Sequence, residues 1–255
     1  MSKVEFKAVG MKYHTLEGET EALKNLSFTI EDNQFVSLIG PSGCGKSTTL
    51  SILAGLLSPT DGQVIIDGKE VDGINQRVAY MLQEDYLFPW RSILDNVLLG
   101  LEIRGELNDA SRERAHQLLA DYGLGDFEDY YPTQLSGGMR QRVALARTLA
   151  IEPDILLLDE PFSALDYHTK LALEDEVAQI LREEKKTVIL VTHDIGEAIA
   201  MSDRVLVFSE RPGEIKSDYK IDLTIDGEYS TFKAREATEF NRYFNSLWEE
   251  LDIYV

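Results

Sequence analysis

The sequence predicts an α/β fold, a parallel sheet covered by helices, with a small antiparallel β section at the N-terminus and a helical insertion near 86–145. Three observations predict it. The segments 155–158, 188–191 and 205–208 are short, unbroken apolar runs of the kind found in strands buried on both faces. A helical pattern over 171–181 separates the first two, as a crossover between parallel strands requires. From about 86 to 150 the apolar period becomes helical, which sets that stretch apart from the strand-rich segments before and after it.

Each element follows from local chemistry. Short strands are expected at 4–9 and 26–30, and residues 62–68 read as a strand closed by the Asp67-Gly68 turn. The strand 35–39 runs into Gly40, and a helix over 47–57 should stop before Pro59. Ser92 can cap a helix that carries Ile93, Leu94, Val97, Leu98 and Leu101 on one face. A second amphipathic helix at 109–122 should end at Gly123. Near the C-terminus Phe240, Phe244, Leu247, Trp248 and Leu251 fall at helical spacing among charged residues. That pattern reads as a closing helix with a solvated face, and a regulatory or dimer contact is the other reading.

Composition narrows the function. The 255 residues include 25 Lys+Arg against 45 Asp+Glu, a net charge of −20, which argues against nucleic acid as a partner. Charged residues at 27% with 44% hydrophobic ones are ordinary globular composition, which excludes disorder for most of the chain. One cysteine forbids an intrachain disulfide and fits a reducing compartment. No apolar run approaches membrane length and the N-terminus lacks a signal-peptide core, so the expectation is a soluble chain made in the cytoplasm, held at any membrane by a partner.

Two motifs carry the chemistry. Gly40-Pro41-Ser42-Gly43-Cys44-Gly45-Lys46-Ser47 fits the phosphate loop G-x-x-x-x-G-K-[ST] between a buried strand and a helix, hence a P-loop NTPase core. Its glycines free backbone N–H groups to converge on phosphate oxygens, and the following helix turns its positive end toward the same anion. Lys46 then reaches the β- and γ-phosphates, and the Ser47 hydroxyl is placed for Mg²⁺. The second motif is the apolar strand ending in Asp159-Glu160. Desolvating carboxylates there is costly unless a cation compensates, so Asp159 suits Mg²⁺ and Glu160 suits orienting or deprotonating a water. A helix N-cap pair is the plainer reading of those two. Cys44 is either a thiol activated by Lys46 and the helix end, open to alkylation with the bound nucleotide protecting it, or a small residue filling a tight loop.

Leu135-Ser136-Gly137-Gly138-Met139-Arg140-Gln141-Arg142 opens a further helix with a second anion-binding end. Together with the two motifs above, it resembles the signature of ATP-binding cassette (ABC) ATPases, and the likeness extends over nearly the whole chain, residues 1–255, as one ABC ATPase domain. The resemblance implies the ABC ATPase fold, with a catalytic core and β subdomain at about 1–85 and 146–225, a helical subdomain at 86–145 and a C-terminal helical extension at 226–255. It assigns Gln83 to the glutamine loop that senses Mg²⁺ and the attacking water. Ser163-Ala164-Leu165-Asp166 becomes the loop that crosses the dimer interface, and His193 the switch histidine at the γ-phosphate. Tyr13 resembles the aromatic that stacks on adenine, with a strand-packing aromatic as the other reading. Stacking alone does not read the base, so GTP is expected to substitute for ATP.

The implied catalytic residues are Glu160, His193, Gln83 and Lys46, and the implied Mg²⁺ ligands are Ser47, Gln83 and Asp159. Nucleotide contacts fall to Tyr13, residues 40–48 including Thr48, and, from a second copy in a head-to-tail ATP sandwich, Ser136, Gly137, Gly138 and Asp166. Segments 88–97 and 209–215, with Met139-Arg140-Gln141-Arg142, resemble ATPase subunits of nitrate/sulfonate/taurine-type importers. The implied partners are integral-membrane permease subunits and, indirectly, an extracytoplasmic solute-binding protein, with the chain peripheral on the inner face of the cell membrane. Phe88 and Trp90 fall where such ATPases receive a permease helix; packing within the helical subdomain is the alternative. A soluble ABC ATPase outside transport, or an exporter subunit, are the competing readings of the whole chain.

Overall fold

The computed structural model describes residues 2–15, 18–163 and 165–251; Ala164 of the expected interface loop lies outside them. Strands β1 (Ser2–Thr15), β2 (Gly18–Glu31), β4 (Asp61–Ile66) and β5 (Lys69–Glu70) form an antiparallel sheet in the order β2-β1-β4-β5. The second sheet runs β10 (Ile215–Lys220), β9 (Arg204–Phe208), β3 (Phe35–Ile39), β8 (Thr187–Val191), β7 (Ile155–Asp159), β6 (Val78–Met81). Its pairs are parallel except for β9 with β10.

The predicted unbroken apolar runs are the central strands, and every residue of β3, β7 and β8 is buried. Alternation along β7 divides the core. Ile155 and Leu157 face the antiparallel sheet and the helix α1 (Lys46–Leu53), packing with Val4, Leu26 and Leu50. Leu156 and Leu158 face the other way, toward α2 (Ile93–Arg104), α3 (Asp109–Asp121), α4 (Gly137–Ala150) and α5 (Tyr167–Glu183), whose Val97, Leu119, Leu145 and Val177 are fully buried or nearly so. A third cluster lies beneath β9, where α6 (Ile195–Met201), α7 (Thr231–Glu236) and α8 (Phe240–Glu250) bring Ile199, Ala234 and Leu247 together. The amphipathic C-terminal pattern is therefore a closing helix, with Leu247 buried and Trp248 on its exposed side.

Local signals placed some ends and missed others: the strands expected at 4–9 and 26–30 extend over Ser2–Thr15 and Gly18–Glu31, because the two pair with each other along nearly their whole length as one long hairpin. Ser92 caps α2 by accepting from the Asp95 N–H at 3.1 Å, and α3 stops one residue before Tyr122, with Gly123 in the left-handed region. Helix α1 is shorter than the expected 47–57, for a specific reason. Gly55 takes φ 73°, and the N–H groups of Leu56 and Leu57 both return to the Ser51 carbonyl, so the helix is closed well before Pro59. A side chain at Gly55 would overlap the backbone of Gly73. Helix α5 begins at Tyr167, four residues ahead of the expected start, because Asp166 caps it.

Candidate functional site

The phosphate-loop motif connects β3 to α1, at the carboxyl end of the parallel strands where open α/β sheets place their ligands. Gly43 (φ 74°) and Gly45 (φ 107°) hold backbone conformations that side chains resist, and these turns curl the loop around the first turn of α1. Lys46 folds back beneath the loop. Its Nζ donates to the carbonyls of Gly40 at 2.8 Å and Pro41 at 2.9 Å, which keeps an almost buried ammonium satisfied. Cys44 is 1% exposed and packs in the core beneath the loop. That burial leaves little of the thiol open to an alkylating reagent, although Lys46 Nζ lies 3.7 Å from Cys44 Sγ, and it favours the reading of Cys44 as the small residue of a tight loop.

A cavity of about 580 Å³ opens above the loop. It gathers eleven of the expected site residues: Tyr13, Gly40, Ser42, Gly43, Gly45, Lys46, Ser47, Thr48, Gln83, Glu160 and His193. Tyr13 stands at one end, its hydroxyl 3.3 Å from Thr48 Oγ1. At the other end three side chains meet. Gln83 Nε2 donates to Glu160 Oε2 at 3.2 Å, and His193 Nδ1 lies 3.3 Å from the same oxygen. Glu160 reaches that position through a backbone φ of 47°, unusual for a side-chain-bearing residue, with its N–H held by the Val191 carbonyl at 2.8 Å. The helix N-cap reading of Asp159 and Glu160 fails, since the next helix, α5, is capped by Asp166 instead.

Asp159 lies just below the cavity and is 6% exposed. Ser47 Oγ donates to its Oδ1 at 3.2 Å and Tyr80 OH to its Oδ2 at 3.0 Å. Burial raises its pKa despite these two bonds, and burial beside this carboxylate pushes the Tyr80 hydroxyl up as well. A buried carboxylate paired with a hydroxyl is a hard-oxygen donor set that fits Mg²⁺, with open valences left for phosphate oxygens and water. Among the described residues no group of three or more His, Cys, Asp or Glu forms an all-protein metal cage.

Four expected contacts are elsewhere. Ser136 caps α4 by accepting from the Met139 N–H at 3.3 Å, Asp166 caps α5 by accepting from the Thr169 N–H at 3.1 Å, and none of Ser136, Gly137, Gly138 and Asp166 lines the cavity. The two helix ends adjoin each other, since a methyl group at Gly138 would lie 3.2 Å from Leu165. Side chains of α4 also reach the segment after Gln83: Arg140 pairs with Asp85 at 2.9 Å, and Arg147 donates to the carbonyls of Asp85 and Tyr86.

Sequence reasoning missed three participants. Tyr80 holds Asp159, Arg211 lines the cavity, and Lys170 reaches the residue beside His193 with its Nζ 2.7 Å from Asp194. Lys170 also meets Glu197 at 2.9 Å and Glu174 at 3.6 Å, while Arg235 meets Glu174 at 2.7 Å. Only the Lys170–Glu174 spacing of four on a helix signals this network in sequence, because the other contacts join three helices.

Comparison with known proteins identifies the family. Residues 23–163 match the family model described as ABC transporter. The chain is 51% identical over 240 residues to the uncharacterized ABC transporter ATP-binding protein YtlC of Bacillus subtilis, covering 94% of this chain and 92% of that one. It is 37% identical over 255 residues to the taurine import ATP-binding protein TauB of Ruegeria pomeroyi, covering 98% and 95% respectively. Among solved structures it resembles a dimeric post-hydrolysis state of the ATP-binding cassette MJ0796 bound to ADP and Pi, with a TM-score of 0.77 and 36% identity, over 86% of this chain and 99% of that one. A family match over more than half of the chain and relatives aligned along nearly all of it lead to one assignment: this protein belongs to the ABC transporter family.

Proposed function

We propose that this chain is the ATP-hydrolysing subunit of a membrane importer for taurine or a related small solute such as a sulfonate or nitrate, acting as a head-to-tail pair beneath permease subunits. The observation that carries the hydrolytic reading is the convergence of Gln83, Glu160 and His193 on one carboxylate oxygen at the end of a cavity floored by the phosphate loop. The importer reading rests on alignment along nearly the whole length of a taurine import subunit.

In this reading the triphosphate lies on the backbone N–H groups of the phosphate loop, Pro41 excepted, and its adenine stacks on Tyr13. Lys46 exchanges its carbonyl partners for β- and γ-phosphate oxygens. Ser47, Asp159 and Gln83 would hold Mg²⁺, which neutralises phosphate charge when bound. Glu160 holds the attacking water in line and accepts its proton, while His193 orients Glu160 and meets the γ-phosphate. The helical block at 86–145 brings Ser136, Gly137 and Gly138 of a second copy over the γ-phosphate, with Asp166 at the seam. The dimeric cassette MJ0796 supports that pairing, and closure adds fixed donors to a site from which water is excluded.

No helix among the described residues is long and apolar enough to cross a membrane. Membrane attachment in this reading runs through the permease. Trp90, 70% exposed and stacked on Phe88 at 5.1 Å, offers the aromatic anchor for it. The test is capture of the tagged chain from detergent-solubilised source membranes, with partners identified by mass spectrometry. A multi-span permease in the eluate is expected, and an accompanying solute-binding protein would identify the cargo. Soluble partners alone would overturn the importer reading and leave a mechanochemical ATPase.

A further inference from the structure

The segment 209–215 has no part in the mechanism above, yet it is built against the phosphate loop. Its turn between β9 and β10 is organised by Ser209, whose Oγ donates to the carbonyls of Glu210 and Pro212 and accepts from the Glu214 N–H at 3.0 Å. Gly213 then docks on β2, its N–H donating to the Ala22 carbonyl at 2.9 Å and its carbonyl accepting from Lys24 N–H at 3.1 Å. The approach to the phosphate loop is so close that any side chain at Gly213 would overlap the Cys44 carbonyl oxygen. The turn fixed in this way carries Arg211 near its tip, beside the exposed Glu210.

The geometry points to Arg211 as a nucleotide-binding residue supplied by the same chain, one that contacts the polyphosphate of the bound nucleotide. Its Nε donates to the Gly43 carbonyl at 3.0 Å, in the middle of the phosphate loop, and the residue lines the same cavity as Lys46 and Tyr13. The guanidinium passes over the open face of Gly43, where a side chain would lie 2.8 Å from Nη2. No carboxylate among the described residues forms an ion pair with it, in a chain with 45 acidic residues. An exposed guanidinium with one bond to a carbonyl keeps its remaining N–H donors for an anion, and its fork matches phosphate oxygens. The glycine-rich loop is the part of such sites that cradles phosphate rather than base, so polyphosphate is the group within reach. Arg211 thus adds a second cation to Lys46 along the same loop.

This inference rests on the nucleotide reading of the cavity, and one experiment separates the two. Equilibrium binding of ATP, ADP, adenosine and inorganic tripolyphosphate is measured without Mg²⁺ for the full chain and for Arg211→Ala and Arg211→Lys. The alanine variant is expected to weaken ATP, ADP and tripolyphosphate by about 10- to 30-fold, the worth of a charge-assisted hydrogen bond, and to leave adenosine within about twofold. The lysine variant should recover part of the loss, and the salt dependence of ATP binding should flatten in the alanine variant. Unchanged ATP and tripolyphosphate affinity in Arg211→Ala, or a loss confined to adenosine, would overturn the inference while leaving the site intact. A wild-type chain that binds none of the nucleotides would overturn the nucleotide reading and this inference together.

Discussion

Glu160→Gln isolates one chemical property, because the surrounding contacts survive it. Both neighbours of the carboxylate converge on Oε2, Gln83 from 3.2 Å and His193 from 3.3 Å, and Glu160 is held by its own backbone at φ 47°. A glutamine of the same shape can turn its amide oxygen to that position and keep both contacts. Nucleotide affinity should therefore stay within about twofold, since nothing that holds phosphate has been touched. Under the proposed assignment, what disappears is the capacity to accept a proton from the attacking water. General-base catalysis contributes about 10²–10⁴ in rate, or roughly 2.7–5.5 kcal/mol of barrier. The assay is phosphate release in single turnover beside equilibrium ATP binding, with light scattering to follow association. Slow hydrolysis with unchanged affinity and an ATP-trapped dimer is expected. A turnover rate within about threefold of wild type would refute the assignment and leave His193 as the group to test next. A variant whose affinity collapses with its rate would instead place Glu160 in ground-state binding.

Three further outcomes follow from the same coordinates. Tyr13→Ala should weaken ATP by about 1–3 kcal/mol, as removal of a stacking face does, and the wild-type chain should hydrolyse GTP and ATP at comparable rates; parallel kinetics with both nucleotides check this. Gly213→Ala should cost about 1–3 kcal/mol of stability through collision with the Cys44 carbonyl, read as a lowered Tm, and should raise the ATP concentration needed for half-maximal rate. Burial pushes the carboxyl of Glu197 up to about 8, with Lys170 opposing. A raised carboxyl keeps its proton in the folded chain after the unfolded chain has lost it. Its contribution to stability is then fully present below pH ~4.5 and lost as pH rises through about 8, by roughly 2 kcal/mol between pH 6 and pH 8. Thermal melts across that range should show the fall, and Glu197→Gln should flatten it.

The legibility of this molecule in its sequence differs by the range of the interaction. The strands β7 and β8 and the loop between β3 and α1 are written in consecutive residues, so unbroken apolar runs and a glycine spacing suffice to place them. Lys46 and Glu160 are legible for a related reason, each at the end of a locally encoded element, whereas Tyr13 lies beyond the strand expected at 4–9 and, like His193, is read through the family resemblance. Local signals also compete, and the wrong one can be chosen. Pro59 marked a helix limit, while Gly55, facing the backbone of Gly73, had already set it. Asp166 was read through its implied role at an interface, and its helix-capping bond to Thr169 moved the start of α5 forward. The buried charges around Lys170 were not legible at all. They join the helices α5, α6 and α7, whose mutual packing has no signature within any one of them.

The same distinction explains the position of the signature residues. Within one chain Ser136, Gly137 and Gly138 stand apart from the cavity, although Ser136 and the glycines form a helix end suited to an anion. Two links nevertheless join them to the chemistry of their own chain. Arg140, in the first turn of the same helix, grips Asp85, two residues beyond Gln83, and Gly138 abuts Leu165, next to the cap of α5. Arg147 adds two bonds to the same post-Gln83 segment, so α4 cannot shift without displacing the backbone that carries Gln83 toward Glu160. If the proposed head-to-tail pair forms, a phosphate bound by the signature helix of one copy is linked through these contacts to Gln83 of that same copy. Cutting the link tests this. Arg140→Ala should leave ATP binding to the isolated chain intact and lower the ATPase rate of the assembled pair. A variant that hydrolyses ATP at the wild-type rate as a dimer would show that the two sites communicate by another route.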